Sequence, residues 1–476
     1  MISNPVRRQI PDHAVFVASM ALTLAGIAAF TVLQYLMPSS FHSIMGGDYK
    51  GFQFYSQHLG IALHSCSPQT YVLGFRLILI SLVAVHLVAS RTALSIDPKY
   101  AKTIFIVVIG VNLLIAIFYP PAQSVDTFNY TALARISAYY GLNPYTHSSL
   151  LLVARHDDVA PFLKLAFRSM YGPLWTALSI CLTVLLRGPG LFAQILAYKL
   201  VEGLSLVVAA NAGRLYCARR SPGYGIAALI AIGLNPLCLL EGPGNGHNDV
   251  LMMCLSLVAL ERYDANRKEA SALYTGLAAA IKFVPFFVLP WIVVDSVQST
   301  RRFLTHRAVR VLLLIVLPTT LFFVPFWDHG GALSALVQRS QGQREVLITK
   351  AKELNSPPPA PSHNVGHVLE AIWSERGVVG LYILLTVILL ARKRMLLVPE
   401  LRRIIYFLVG DSGYPAWLVL WILQATLQRY VVTSYWFSWY YTWAILPAAC
   451  IWTKKGNPLL VATMAMALTD TLFYTF

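Results

Sequence analysis

The residues best suited to chemistry stand at the ends of apolar runs. Glu241-Gly-Pro-Gly-Asn-Gly-His247-Asn248-Asp249 crowds five polar side chains around a glycine-rich turn between two such runs. Glycine lets a backbone approach a ligand closely, and the amides of such a turn can face an anion. The plainer use is Asp249 as the N-cap of the next helix with His247 in water, but Glu241 and the His-Asn-Asp cluster exceed what capping needs. Glu241, His247, Asn248 and Asp249 are therefore candidate substrate-binding residues. Asp126 lies just past the end of another apolar run, within PPAQSVDTFNYTALARISAYYGLNPY (120–145). An ionisable group at that boundary needs a partner or a cavity; the alternative is that it caps the helix starting at Thr127. That short amphipathic helix carries Arg135, which with Tyr171 further on joins the candidate substrate-binding residues, and is closed by Gly141 and Asn143-Pro144. Lys282, in ALYTGLAAAIKFVPFFVLPW, stands at the apex of a tight apolar hairpin. A fixed ammonium there suits a phosphate at headgroup depth, or else merely snorkels to the interface. Trp439 and Tyr440 in SYWFSWYYTW offer flat faces to a sugar ring, although aromatic residues are also ordinary at a membrane interface. His363 and His367 have the spacing of a metal pair, but no acidic third ligand accompanies them in their Pro-rich loop. No metal is expected.

Positioning these side chains falls to membrane helices. Of the 476 residues, 57% are hydrophobic and 12% charged, with mean hydropathy +0.61. A soluble protein carries about twice that charged fraction. Runs long enough to cross a hydrocarbon core of about 30 Å recur from Val15 to Phe476. They predict an all-α polytopic membrane protein of about 13 helices, near 15–37, 70–90, 102–119, 190–213, 223–240, 248–261, 270–283, 284–299, 308–327, 377–391, 404–424, 438–453 and 457–475. The net charge of +16 is no nucleic-acid signature, because the basic residues sit mostly in short loops between apolar runs. The first run follows Arg7 and Arg8 and ends at Met37 without a small-residue cleavage pattern, so it is read as a retained helix. Segment 171–187 would span about 25 Å at most. Laying it along the interface puts more than half of the 37 basic residues on the inner side, and that bias decides for the interfacial reading. The outer side then holds 38–69, 120–188 and 328–376. None has room for a core of its own, so 1–476 reads as a single membrane domain. Only Cys66 of the six cysteines falls in an outer loop, the others lying within or beside apolar runs, and no CxxC pair occurs, so no disulfide framework is expected.

D-T-F-N-Y with G-L-N-P-Y, then Y-G-P-L, G-H-N-D, K-x-x-P and W-Y-x-x-W, in that order, resemble the bacterial GT-C glycosyltransferases. The nearest group is the polyprenyl-phosphate-mannose-dependent α-1,6-mannosyltransferases, with their relatives in glycosyltransferase family 87. The likeness runs from about residue 100 to 450 in the family's order; 1–95 and 328–376 carry nothing that matches. It implies a GT-C-like fold with outer juxtamembrane helices. It also implies an inverting transfer of a sugar, mannose by this likeness, from a polyprenyl-phosphate donor to a glycan or glycolipid acceptor. The site would face outward from the bacterial cytoplasmic membrane, with no cofactor beyond the donor. By position it implies Asp126 as general base, Tyr171, Gly172 and Pro173 as juxtamembrane segment, His247 and Asp249 as substrate-side turn, and Lys282 as donor-phosphate site. The class often shows two adjacent acids where Asp126 stands alone, so Asp48 is a second candidate for the base. The residue types suit the reaction by themselves: a carboxylate accepts the attacking hydroxyl's proton, while an ammonium and amides receive a phosphate that leaves unprotonated. Two rivals remain, a secondary transporter and a polyprenyl-lipid-binding assembly protein without catalysis. Against the first, the halves show no self-similarity and the polar residues gather at helix ends.

Overall fold

The computed structural model describes residues 9–39, 49–121, 123–163, 167–282, 284–287, 306–331, 418, 421, 422, 425, 438–454 and 456–474. Among these the chain is helical, apart from an isolated antiparallel bridge between Thr453 and Gly456. In chain order the helices are α1 (Gln9–Gln34), α2 (Tyr49–His58), α3 (Pro68–Thr92), α4 (Ala101–Phe118), α5 (Asp126–Ala138), α6 (Leu150–Ala154), α7 (Pro173–Leu185), α8 (Leu191–Ala218), α9 (Pro222–Gly233), α10 (Pro236–Leu239), α11 (Asp249–Asp264) and α12 (Lys268–Ile281). Helices His306–Phe323, Thr442–Ala448 and Pro458–Tyr474 follow.

Five described helices are long and apolar enough to cross a membrane, or six if the pair Pro222–Gly233 and Pro236–Gly244, bent by 41°, forms one span. That is fewer than the sequence predicts. The expected spans 377–391 and, for the most part, 284–299 and 404–424 lie outside the described residues. Those at 248–261 and 270–283 correspond to α11 and α12, of 16 and 14 residues. Leu73, Leu77, Leu114, Leu313 and Leu321 stay exposed on the outward faces of their helices. Such apolar outer faces belong in lipid. The chain is a membrane protein.

α8 is the hub, packing against α4, α9 and α11. Its buried face carries Gly203, Ala209, Ala210, Ala212 and Gly213, and small residues let helix backbones approach where lipid supplies no hydrophobic drive. α4, α8, α11 and α12 all run between two chemically distinct ends. At one end Arg219 and Arg220 pair with Asp264 at 3.1 and 2.9 Å, and Arg91 reaches the Lys454 carbonyl at 3.3 Å. At the other stand Asp126, Asp249 and Lys282. The length of α11, about 24 Å at 1.5 Å per residue, separates the two. α7, about 20 Å long by the same measure, is too short to span and packs on α5, α12 and the helix His306–Phe323.

Candidate active site

Two helices begin at the site, and each begins with aspartate. Asp126 is the first residue of α5, after Val125 as N-cap. Ser124 Oγ accepts the Asp126 N–H at 3.1 Å. The Asp126 carboxylate therefore does not cap, and it turns instead toward His247, whose Nδ1 lies 3.1 Å from Oδ2. Asn129 and Tyr130 donate more weakly, at 3.4 and 3.5 Å. Asp249 likewise opens α11, with Asn248 in the N-cap position and no side-chain cap bond. Its carboxylate accepts both of its short contacts from elsewhere: Lys282 Nζ at 2.8 and 3.0 Å, and Trp443 Nε1 at 2.6 Å. Neither aspartate is the helix cap that its sequence position allowed.

The glycine-rich turn brings these helix starts together. Leu240–Gly244 forms a π-turn, and the His247 N–H closes back on the Glu241 carbonyl at 3.0 Å. Gly246 has φ +76°, and a Cβ there would lie 2.4 Å from Thr127 Cγ2. Only glycine allows that backbone against the first turn of α5, and this contact delivers the imidazole to Asp126. On the ring's other side Nε2 is 3.5 Å from Glu241 Oε2, which also accepts from Asn245 at 3.3 Å. His247 is thus held, fully buried, between two carboxylates.

Lys282 leaves the end of α12 in extended backbone, and α7's approach fixes that end: the Gly172 N–H donates to the Ile281 carbonyl at 2.9 Å. Tyr145 in turn donates to the Tyr171 carbonyl at 2.8 Å, so the G-L-N-P-Y and Y-G-P-L motifs brace the lysine. The Tyr171 ring packs edge-on against Tyr130 at 4.9 Å. The ammonium lies 4.7 Å from the Tyr440 ring centroid and 5.4 Å from that of Trp443, within the range of a cation–π contact.

Exposure sorts these groups by role. Asp126 and Lys282 each keep 20% of the side chain exposed, whereas His247 and Asp249 keep 0% and 1%. Each accessible charge is thereby gripped by a sealed partner. Burial works to raise the Asp126 carboxyl, but the His247 hydrogen bond and the charges of His247 and Lys282 outweigh it and hold the group below its ordinary value. The arrangement offers an ionised carboxylate for a proton and a fixed ammonium for an anion.

Most of the residues singled out from sequence meet here: Asp126, Tyr171, Glu241, His247, Asn248, Asp249, Lys282 and Tyr440. Asn248 is buried, and its side-chain amide has no hydrogen-bond partner among the described residues. Arg135 is not brought in. It stands two and a half turns along α5, bound to Asp157 at 2.5 Å, to Asp158, and to Gln194 at 2.9 and 3.1 Å. That makes it a clamp between α5, the 157–158 loop and α8. The side chain of Trp439, and all of Asp48, His363 and His367, lie outside the described residues. Among the described residues no three His, Cys, Asp or Glu side chains are grouped to hold a metal. Sequence reasoning gave no role to Tyr130 and Trp443, although both fall in motifs it singled out, and passed over Lys199 and Glu202. Glu202 Oε2 accepts the Leu251 N–H at 2.8 Å in the first turn of α11, and Lys199 lies over the Tyr55 ring at 4.5 Å. Both are fully buried. Two ionisable residues one turn apart inside an apolar run were the signal that could have found them.

Comparison with known proteins finds a family whose match spans these positions. The family described as "Alpha-(1->6)-mannopyranosyltransferase, N-terminal domain" matches residues 41–298, which hold Asp126, the glycine-rich turn and Lys282. Alpha-(1->6)-mannopyranosyltransferase A of Mycobacterium tuberculosis is 27% identical over 345 residues, covering 69% of this chain and 61% of the relative. The match therefore spans about three-fifths of that curated relative's length. No solved structure matches.

Proposed function

The chain belongs to the alpha-(1->6)-mannopyranosyltransferase family, and from that premise we propose that it is a membrane glycosyltransferase of the GT-C class. In this reading it moves a sugar, mannose, from a polyprenyl-phosphate donor to a glycan or glycolipid acceptor. The observation that carries it is the pairing of two accessible charges with two sealed partners at one end of α11 and α12. Asp126, kept ionised by His247, accepts the proton of the acceptor hydroxyl. The oxygen attacks the anomeric carbon as the bond to phosphate breaks. A single displacement of this kind inverts the anomeric centre. The leaving lipid phosphate is already anionic, so it needs a cation and no acid; Lys282 supplies the cation, aimed by Asp249. Glu241 holds the far side of His247, and Tyr440 with Trp443 walls the ammonium. Basic residues gathered at the opposite end favour placing the site on the outer face of the cytoplasmic membrane.

The test is to incubate purified protein with polyprenyl-phosphate mannose, glucose and arabinose and to measure release of polyprenyl phosphate. We expect release with the mannosyl lipid and a drop of about 10² to 10⁴ in Asp126→Asn, with donor binding retained. Absence of release from every donor by folded protein would return the chain to the non-catalytic lipid-binding reading.

A further inference from the structure

We propose that the cavity at the basic end of the molecule is a binding site for the phosphate of an anionic phospholipid headgroup. Arg91, Thr92, Leu94, Ser95, Tyr224 and Lys454 line about 560 Å³ there, within the range of about 300–1,000 Å³ that ligand pockets occupy. Its depth suits a headgroup. The span Pro68–Ser95 ends at this cavity and the next span begins at Pro98, so the walls lie where hydrocarbon gives way to water.

The site is built rather than incidental. Thr453 and Gly456 exchange two backbone hydrogen bonds of 3.0 Å, closing a tight turn around Lys454. Gly456 has φ +117°, and a Cβ there would come within 3.2 Å of Arg91 Cδ and Nε. The glycine thus forms the seat of the guanidinium, while Arg91 Nη2 donates to the Lys454 carbonyl at 3.3 Å. The Arg91 guanidinium is thereby held to the backbone of a segment more than 360 residues away, and the Lys454 side chain lines the same cavity.

Counter-ions decide between a ligand site and a topology signal. At the same end Arg219 and Arg220 share Asp264 at 3.1 and 2.9 Å, and Arg262 meets Glu261 at 3.2 Å. Asp97, the acid close in sequence, is taken by Lys99 at 3.1 Å. No described carboxylate pairs with Arg91 or Lys454. The positive-inside bias is served equally by paired and unpaired cations, and the negative end of the α3 dipole accounts for Arg91 alone. Neither explains an anchored guanidinium and a second cation lining one cavity without a described acid. A phosphodiester supplies the missing charge and receives the guanidinium's fork.

Full-length protein in detergent is equilibrated with phosphatidylglycerol or phosphatidylcholine, and bound lipid is counted by native mass spectrometry. We expect phosphatidylglycerol to be retained over phosphatidylcholine, and retention to fall about tenfold, equivalent to about 1.4 kcal/mol, in Lys454→Gln. That variant keeps the Lys454 backbone carbonyl and so the turn; its thermal midpoint should match wild type. Arg91→Gln should lose as much or more, and Lys99→Gln, whose charge is already paired, should lose little. Equal retention of both lipids, or undiminished phosphatidylglycerol in Lys454→Gln, would overturn the proposal. Displacement of the lipid by millimolar inorganic phosphate would overturn the lipid assignment in favour of a free anion.

Discussion

At the scale of single residues, the site pairs each working charge with a buried one, and this makes its variants separable. The Asp126 carboxyl titrates below its ordinary value in the folded protein. The stability it contributes is therefore present above the ordinary carboxyl value and is lost as pH falls through the depressed one. Activity should not fail through Asp126 until the solution is more acid than the usual carboxylate range. His247→Gln removes the imidazole's hydrogen bond and charge and leaves burial to act, so the acid limb of the kcat/KM profile should move to higher pH. An unmoved limb would mean that the imidazole does not set the base. Lys282→Met leaves the buried Asp249 with the Trp443 hydrogen bond but without its counter-ion, a change that costs up to about 3–5 kcal/mol when a buried pair is broken. Adding Asp249→Asn should restore much of the thermal midpoint. Donor affinity should stay down by about tenfold to a hundredfold, the worth of a hydrogen bond to a charge. If the double variant binds donor normally, Lys282 is structural. The sequence made Asp126, His247, Asp249 and Lys282 legible because each is an ionisable residue at an apolar boundary, within five residues of a glycine or proline. Tyr130 and Trp443 were not, because an aromatic ring near an interface looks the same whether or not its polar atom meets a carboxylate.

At the scale of elements, the informative surprises are at helix starts. Local rules assign an aspartate before an apolar run to capping, yet α5 obtains its cap bond from Ser124 and α11 has no side-chain cap. Tertiary contacts across 121 and 33 residues claimed the two carboxylates instead, and no window of local sequence contains those partners. The opposite lesson comes from Arg135. Its position in an amphipathic helix suggested a substrate ligand, and its guanidinium is consumed by Asp157, Asp158 and Gln194. We expect Arg135→Met to lower the thermal midpoint by several degrees, since it strands the buried Asp157, while the folded fraction keeps its KM for donor. A raised KM at unchanged stability would restore it to the binding residues. Gly246→Ala is the matching test of the turn. The φ of +76° and the 2.4 Å approach to Thr127 should cost more than about 1 kcal/mol and should lower kcat by displacing the imidazole.

At the scale of the whole molecule, helix direction was readable because hydropathy and basic loops obey one constraint, the bilayer. α4, α8, α11 and α12 carry the site at one end and the arginines at the other. We expect Lys268→Cys, in a background lacking Cys66 and the exposed Cys181, to resist a membrane-impermeant thiol reagent in intact cells and to label after lysis. Labelling of intact cells would invert the topology. The exact number of spans was less readable, since α11 and α12 are shorter than a straight crossing requires and gain their place by packing on α8 and on each other. The Trp443 bond to Asp249 closes across 194 residues, and this has a consequence for biogenesis. Asp126, His247 and Lys282 leave the ribosome long before the tryptophan does. At about 5–20 residues per second, a nascent chain holds the Asp249–Lys282 pair for roughly ten to thirty seconds without its indole donor and the aromatic wall. The charged pair is thus assembled early and sealed late, and a chain stopped before that last aromatic segment would insert its first helices normally yet remain unable to hold its donor.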